Sequence, residues 1–376
     1  MALIVRADLA IAGGGPVGLA TAIFAARAGL RPVVIERHGA DHGDKACGEG
    51  IMPRGVALLR ELGVELRGRP FEGIRFLSRG VVAEGRFPRG PGCGVRRTAL
   101  ALALRERALS LGVEIAHHCA VRDWRESAEG ISVETSAGAL RAAWLIGADG
   151  LHSIVRRRSG LERRARTLPR YGIRRHFRVE PWSSLVEVHW ADGAEAYVTP
   201  VARDEVGIAC LWRGDGRGFD DLLELFPELR ARLRGAEPTS AVLGAGPFSR
   251  RARRLHRGRV ALVGDAAGCL DPLTGEGITV GLLSARSLVE TIARGGSLRA
   301  YARQRRRLML VPRTLTQLLL VAAHRPRVRH GFARVVARHP ALFDRLIALD
   351  AGEGFGRPPA PVAHPVGAPG SHRSAR

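Results

Sequence analysis

The chain has 376 residues, an ordinary hydrophobic content for a soluble protein and a formal net charge of +23. That length exceeds one usual domain, so one large domain with a sizeable insertion, or two domains, is expected. The charge invites a nucleic-acid partner, yet Lys45 is the only lysine and no reading motif or aromatic-interleaved basic patch accompanies the arginines, so nucleic acid is set aside and an acidic substrate or an anionic membrane surface stays compatible.

At the N-terminus, Leu3-Ile4-Val5 is too short an apolar core for a signal peptide. Asp8-Leu9-Ala10-Ile11-Ala12 is a run of strand length, and it leads into Gly13-Gly14-Gly15-Pro16-Val17-Gly18, a G-x-G-x-x-G spacing. Val17, Ala20, Ile23, Phe24 and Arg27 then recur at helical spacing behind Pro16, whose missing N–H costs nothing in a first turn. Gly29 ends that helix, and Pro32-Val33-Val34-Ile35-Glu36 is a second apolar run closing on a carboxylate. The pattern predicts a βαβ unit with a nucleotide at its glycine turn. Gly13 permits the tight turn, Gly15 lets the backbone approach a pyrophosphate, and Gly18 lets helix and strand close up, with the phosphates on free N–H groups at a helix N-terminus. Glu36 accepts hydrogen bonds from both ribose hydroxyls, which favours FAD or NAD over a 2′-phosphorylated dinucleotide.

Beyond a polar loop at 38–44, Lys45-Ala46-Cys47-Gly48-Glu49-Gly50 is a glycine-rich turn that lies beside a cofactor ring or is a plain loop with a buried thiol. Residues 53–63 read as a helix, and 71–87 alternate loosely around Gly73, Gly80 and Gly85 as a β-excursion from the first domain. Arg97 opens a helix to about 110, and strands follow at 112–115, 121–124, 131–135 and 140–146. The last of them runs into Gly147-Ala148-Asp149-Gly150, an acid between glycines at a strand's carboxyl end, where ligands bind in open α/β sheets. From 172 to 212 short β-branched and aromatic runs predict an antiparallel sheet, the substrate-covering domain, followed by helix at 220–233 broken by Pro227.

A strand at 259–263 then enters a third such turn, Gly264-Asp265-Ala266-Ala267-Gly268. A helix expected from Gly275 to Ile292 aims its free N–H groups into the same cleft; were a flavin ring there, the field would fall where reduction places negative charge. Residues 303–338 read as arginine-rich helix. The run Leu318-Leu319-Leu320-Val321 is too short to span a bilayer and is expected to pack, the alternative being a helix resting on a membrane. Proline, glycine, alanine and histidine dominate the end of the chain, and 351–376 is expected to be a disordered tail. Cys47, Cys93, Cys119, Cys210 and Cys269 are odd in number and hold no C-x-x-C pair, which argues against a disulfide framework, a metal site and a dithiol centre, and for a reducing, cytoplasmic setting.

Three glycine-acid turns at these spacings, with Arg97 before a helix between the first and second, resemble the FAD-dependent oxidoreductases built like para-hydroxybenzoate hydroxylase, over roughly residues 7–292. The resemblance is greatest to the geranylgeranyl reductase-like and flavin monooxygenase or halogenase-like branches. It implies an α/β fold: a Rossmann-like FAD-binding domain at 1–165 and 245–300 with the excursion at 71–92, an inserted antiparallel β-sheet substrate domain at 166–244, and C-terminal helices at 301–350. By the same resemblance, Gly13, Gly15, Gly18, Glu36 and Arg37 hold the ADP half of FAD, and Arg97 sits near the pyrophosphate. Asp149 belongs to the motif linked to FAD and NAD(P)H, Asp265 holds the ribityl chain, and Gly275, Gly277 and Ile278 form the last cofactor motif.

Cys47-Gly48-Glu49-Gly50 and Asp271-Pro272 through Gly275-Glu276-Gly277 resemble the reductase branch. Tyr197-Val198-Thr199-Pro200 lacks the Trp and Phe of that branch's Tyr-x-Trp-x-Phe-Pro signature, and the Trp-x-Trp-x-Ile-Pro of tryptophan halogenases is absent. The activity implied is an NAD(P)H-dependent monooxygenase of a lipophilic or aromatic secondary metabolite, acting through a flavin C4a-hydroperoxide. The alternatives are a double-bond reductase, with Cys47 or Tyr197 as proton donor, and a flavin-containing prenyl- or lipid-binding protein in peripheral contact with a membrane.

Overall fold

The computed structural model describes residues 6–41, 43–163, 169–214, 216–248, 250–269 and 271–351. Its central strand, Arg6–Ala12, is buried on both faces. Leu9 and Ile11 pack with Leu19, Ile23 and Leu104 on the helical side, while Ala10 and Ala12 pack with Val33, Ile35 and Leu145 on the other, which is why residues 9–12 are apolar throughout rather than alternating. It pairs in parallel with Pro32–Ile35 on one side and Gly138–Gly147 on the other. Glu114–Ala116 and Val260–Leu262 extend the parallel sheet at its two sides. The register sets Ala12 opposite Ile35 and Gly147, and Gly147 opposite Leu262. Four strands therefore end together, and the turns after them open on one edge of the sheet.

A second sheet has the order Glu237–Pro238, Arg170–Arg178, Glu205–Arg213, Ala194–Ala202, Val186–Ala191, Gly73–Ser78, Val81–Arg86. The excursion expected to belong to the first domain instead supplies the last two strands. Gly73–Ser78 pairs in parallel with Val186–Ala191, Ile74 opposite Val186, and a partner more than a hundred residues away leaves no local trace. The outer face of this sheet, with Val198, Ile208 and Cys210, is covered by Phe219–Leu223 and Pro227–Arg232. Its inner face looks toward the glycine turns.

Helix Gly277–Ala293 packs beside Pro16–Arg27. Leu298–Leu308 docks on the same domain through Leu298 and Tyr301, whose hydroxyl donates to Leu262 O at 2.6 Å. Pro326–Arg338 and Pro340–Asp350 cover the hairpin of Gly73–Ser78 and Val81–Arg86, setting the Phe343 ring 4.9 Å from that of Phe76, which is itself 4.7 Å from Trp190. The buried Arg329 fixes this layer by donating to Ala191 O at 2.8 Å and pairing with Asp192. No helix among the described residues is long and apolar enough to cross a membrane. The tail expected at 351–376 lies, after Ala351, outside the described residues.

Candidate active site

The glycine turn is shaped by close approach. Gly13 has φ +104, and a Cβ there would stand 2.7 Å from Ala148 O; at Gly18 it would stand 1.9 Å from Gly13 O. At Gly15 it would meet only Arg97 Nη2, at 3.8 Å, so the turn faces open space. Helix Pro16–Arg27 has no side-chain cap, which leaves its first N–H groups pointing into that space. Glu36 closes the loop from the next strand, accepting from Gly14 N at 2.6 Å and His38 N at 2.9 Å. Arg37, expected with it at the cofactor, is exposed at the rim with its Nε on His38 Nε2.

The second turn presents Asp149. One carboxylate oxygen accepts from Ile154 N at 2.7 Å and Val155 N at 3.1 Å, while Oδ1 is buried with no hydrogen-bond partner among the described residues. A buried acceptor left open in this way wants a donor from a bound group. Arg156 ties this turn to the third. Fully buried, it donates to Leu151 O at 2.7 Å, Ala266 O at 3.1 Å and Asp265 O at 3.3 Å. Sequence reasoning missed Arg156, because nothing separates it from its neighbours in Arg156-Arg157-Arg158. The helix after the third turn begins at Gly277 rather than at the expected Gly275: Pro272–Thr274 forms a short turn, and Gly275 at φ +69 reverses the chain before the helix starts.

Inner-face side chains of the sheet fix the two loops flanking the cleft. Thr199 Oγ1 donates to Gly48 O at 2.7 Å, and Tyr197 OH donates to Leu273 O at 3.0 Å. The Tyr197 hydroxyl proton is thus engaged in holding a loop, and Cys47 Sγ accepts from Glu49 N at 3.4 Å. Glu49, buried and at φ +57, accepts from Arg97 N at 2.7 Å at the start of helix Arg97–Ser110 and from His176 Nε2 through its other oxygen. Arg174 pairs with Asp44 and lies 3.0 Å from His176 Nδ1, which makes Nδ1 the acceptor and Nε2 the protonated nitrogen. The sequence held a signal for these residues, because Arg170, Gly172, Arg174 and His176 share one face of a strand at period 2. Burial pushes the Cys93 thiol up to about 11, Cys210 to about 12 and Cys269 well above its ordinary value, so none of the three is a ready nucleophile.

These turns share one cavity of about 780 Å³. Gly13, Gly15, Glu36, Arg97, Asp149, Asp265, Gly275, Gly277 and Ile278 line it, as do Cys47 and Tyr197. Beyond the loops it continues into an apolar chamber under the sheet, walled by Phe76, Val188, Leu211, Phe332 and Phe343. No group of His, Cys, Asp or Glu among the described residues could hold a metal ion.

A family model described as an FAD binding domain matches residues 6–192. Menaquinone reductase of Mycolicibacterium smegmatis is 31% identical over 319 residues, covering 77% of this chain and 77% of that protein. The chain belongs to the FAD-dependent oxidoreductases of the para-hydroxybenzoate hydroxylase fold. A further relative in this flavoprotein family, the para-nitrophenol 4-monooxygenase of Pseudomonas sp. strain WBC-3, is 28% identical over 318 residues, 75% of this chain and 76% of that one. Among solved structures, anhydrotetracycline hydroxylase from Streptomyces rimosus aligns with a TM-score of 0.75 at 25% identity, over 96% of this chain and 78% of that one. As a flavoprotein of this family the chain takes FAD. Its polar end suits that cofactor: an uncapped helix over open space, a carboxylate at the second strand, and an unpaired buried oxygen on Asp149.

Proposed function

We propose that this FAD-dependent oxidoreductase is an NAD(P)H-dependent monooxygenase of a lipophilic or aromatic small molecule. The observation that carries the reading is the single cavity that passes from the glycine turns into an aromatic-lined chamber. In this assignment Gly13, Gly15 and Arg97 would hold the pyrophosphate and Glu36 the ribose hydroxyls, with Arg37 at the exposed rim. Asp149 Oδ1 and Asp265 would accept from the chain between pyrophosphate and ring, and Gly277 and Ile278, at the uncapped start of helix Gly277–Ala293, would hold the ring, with Gly275 shaping the turn before them by donating its N–H to Pro272 O. FAD, when bound, supplies the hydride and dioxygen chemistry. The protein orients the substrate under the sheet, and its Phe76, Phe332 and Phe343 rings keep water from the reacting atoms.

Double-bond reduction is the second reading, favoured by the 31% identity to a menaquinone reductase. Leu318, exposed on helix Leu310–His324, also lines the cavity, and Leu310 and Val321 are exposed on the same helix. This supports entry of a lipophilic substrate from a membrane surface. The five free cysteines support a reducing compartment, and we place the reaction in the cytoplasm.

Anaerobic mixing with NADH or NADPH should bleach the flavin absorbance, and para-nitrophenol as probe should then raise oxygen uptake in air. Failure of both nicotinamides to reduce the flavin ends the NAD(P)H assignment. Unchanged oxygen uptake, with reduction of a short-chain menaquinone in the absence of air, replaces hydroxylation by the second reading.

A further inference from the structure

Behind the cavity wall, Arg170 holds two carboxylates at once. One arm of its guanidinium pairs with Glu195, from two strands away in the sheet, and the other lies 3.1 Å from Asp271 Oδ1. Arg170 and Glu195 are only 4% and 5% exposed. Asp271 lines the cavity itself and caps the turn Pro272–Thr274 by accepting from Leu273 N at 3.2 Å. A buried and a partly buried carboxylate on one buried guanidinium carry one negative charge more than it neutralises, and a low-dielectric site relieves that excess by retaining a proton.

The surroundings do not remove the excess. Tyr197, two residues along the strand from Glu195, donates its hydroxyl proton to Leu273 O. Arg213, at the end of Glu205–Arg213, is exposed and its charge is screened by solvent. His324, at the end of Leu310–His324, is half-buried, and burial lowers its proton affinity. In keeping with this, burial together with Asp271 pushes Glu195 up to about 7 against the pull of Arg170, and burial raises Asp271 as well. Hydroxylation and double-bond reduction each consume one proton inside the chamber, and nothing assigned so far supplies it.

We propose that Glu195, Arg170 and Asp271 form the proton store of this active site. When the pair's single proton rests on Asp271, at the wall, its carboxyl O–H bond breaks to protonate a basic atom in the chamber, and both carboxylates are then ionised. Arg170 steadies the resulting pair of carboxylates, and Glu195 acts through Arg170 to keep one proton on the pair at neutral pH. The cluster regains its proton from solvent through the cavity that Asp271 lines. No electron leaves the cluster, so the step needs no oxidant or reductant of its own. The inference rests on the cavity being the reaction chamber, but the state of the proton can be read without turnover.

The test is an infrared pH titration of the FAD-loaded protein, following the carbonyl band of a buried carboxylic acid. In the wild type the band should fade with a midpoint near pH 7, and it should be missing in Glu195→Gln. In Asp271→Asn the repelling neighbour is gone, so Glu195 ionises beside Arg170 and the band should already be lost at neutral pH. The rate at which air reoxidises the reduced flavin should follow the same midpoint in the wild type and lose that dependence in Asp271→Asn. A wild-type spectrum with no titrating carboxylic-acid band overturns the proposal even if Glu195→Gln does not fold. So does an Asp271→Asn protein that keeps the wild-type band and reoxidation profile.

Discussion

Gly15→Ala separates cofactor affinity from folding. Gly15 sits at φ −72 and ψ 174, extended backbone open to any residue, and a methyl there meets only Arg97 Nη2 at 3.8 Å. The apo fold should therefore shift by no more than about 1 kcal/mol, with either sign. On the proposed placement, the same methyl occupies the space over the uncapped helix N-terminus that would hold the pyrophosphate. Displacing the phosphates from one or two charge-assisted hydrogen bonds costs about 1.5–3 kcal/mol each, so a loss near 3 kcal/mol, or about a hundredfold in Kd, is expected. Gly18→Ala should behave oppositely: its Cβ would fall 1.9 Å from Gly13 O, the strand and helix must part, and the melting temperature of the apo protein should drop. Titrating each apo protein with FAD by flavin fluorescence, alongside thermal melts, tests both. A Gly15→Ala protein that binds FAD as the wild type does would refute the placement of the pyrophosphate over this turn.

Other expectations follow from the same geometry. Arg156→Met leaves two buried carbonyls and a partly buried one without their donor and should cost about 3 kcal/mol in urea unfolding, with lower FAD content because the second and third turns come apart. Burial tends to raise Glu187, but hydrogen bonds from His189, Trp182 and Arg75 hold it down at about 2. Its folded pKa is below the ordinary 4.5, so its contribution, about 3 kcal/mol, is present above that value and lost as pH falls toward 2; Glu187→Gln should flatten the acid limb of a melting-temperature profile. Glu195 has the opposite sign: raised to about 7, it favours the folded state fully below the unfolded value and loses that advantage as pH rises to 7, so Glu195→Gln should remove a fall in stability across that window. Phe343→Ala, at a fully buried ring against Phe76, should cost about 3–5 kcal/mol in chemical unfolding and admit water to the chamber. Leu318→Glu should reduce sedimentation with anionic phosphatidylglycerol vesicles while leaving FAD content unchanged.

The nucleotide-binding half was legible because its rules are local. Glycines at turn positions, a doubly buried apolar strand and an acid at the next strand's end each announce themselves within thirty residues. The sheet membership of Gly73–Ser78 was not, since its partner Val186–Ala191 is set by long-range packing rather than by anything between 71 and 92. The loop anchors were hidden for another reason. In a chain whose basic residues are nearly all arginine, the buried Arg156, Arg170 and Arg174 look like the exposed ones, and only the period-2 face from Arg170 to His176 set some of them apart. The start of helix Gly277–Ala293 was misplaced by two residues because Gly275 reads equally as a helix N-terminus and as the reversal that it is.

The central claim is that one continuous cavity carries FAD at its polar end and an apolar substrate against it at the other. The most direct measurement is a titration of the FAD-loaded protein with menadione as apolar aromatic probe, following the flavin's visible absorbance and, in parallel, the heat of binding. The two signals should saturate together, because a molecule in the chamber of Phe76, Phe332 and Phe343 must change the surroundings of the ring. Heat of binding with an unmoved flavin spectrum would place the probe elsewhere and contradict the central claim.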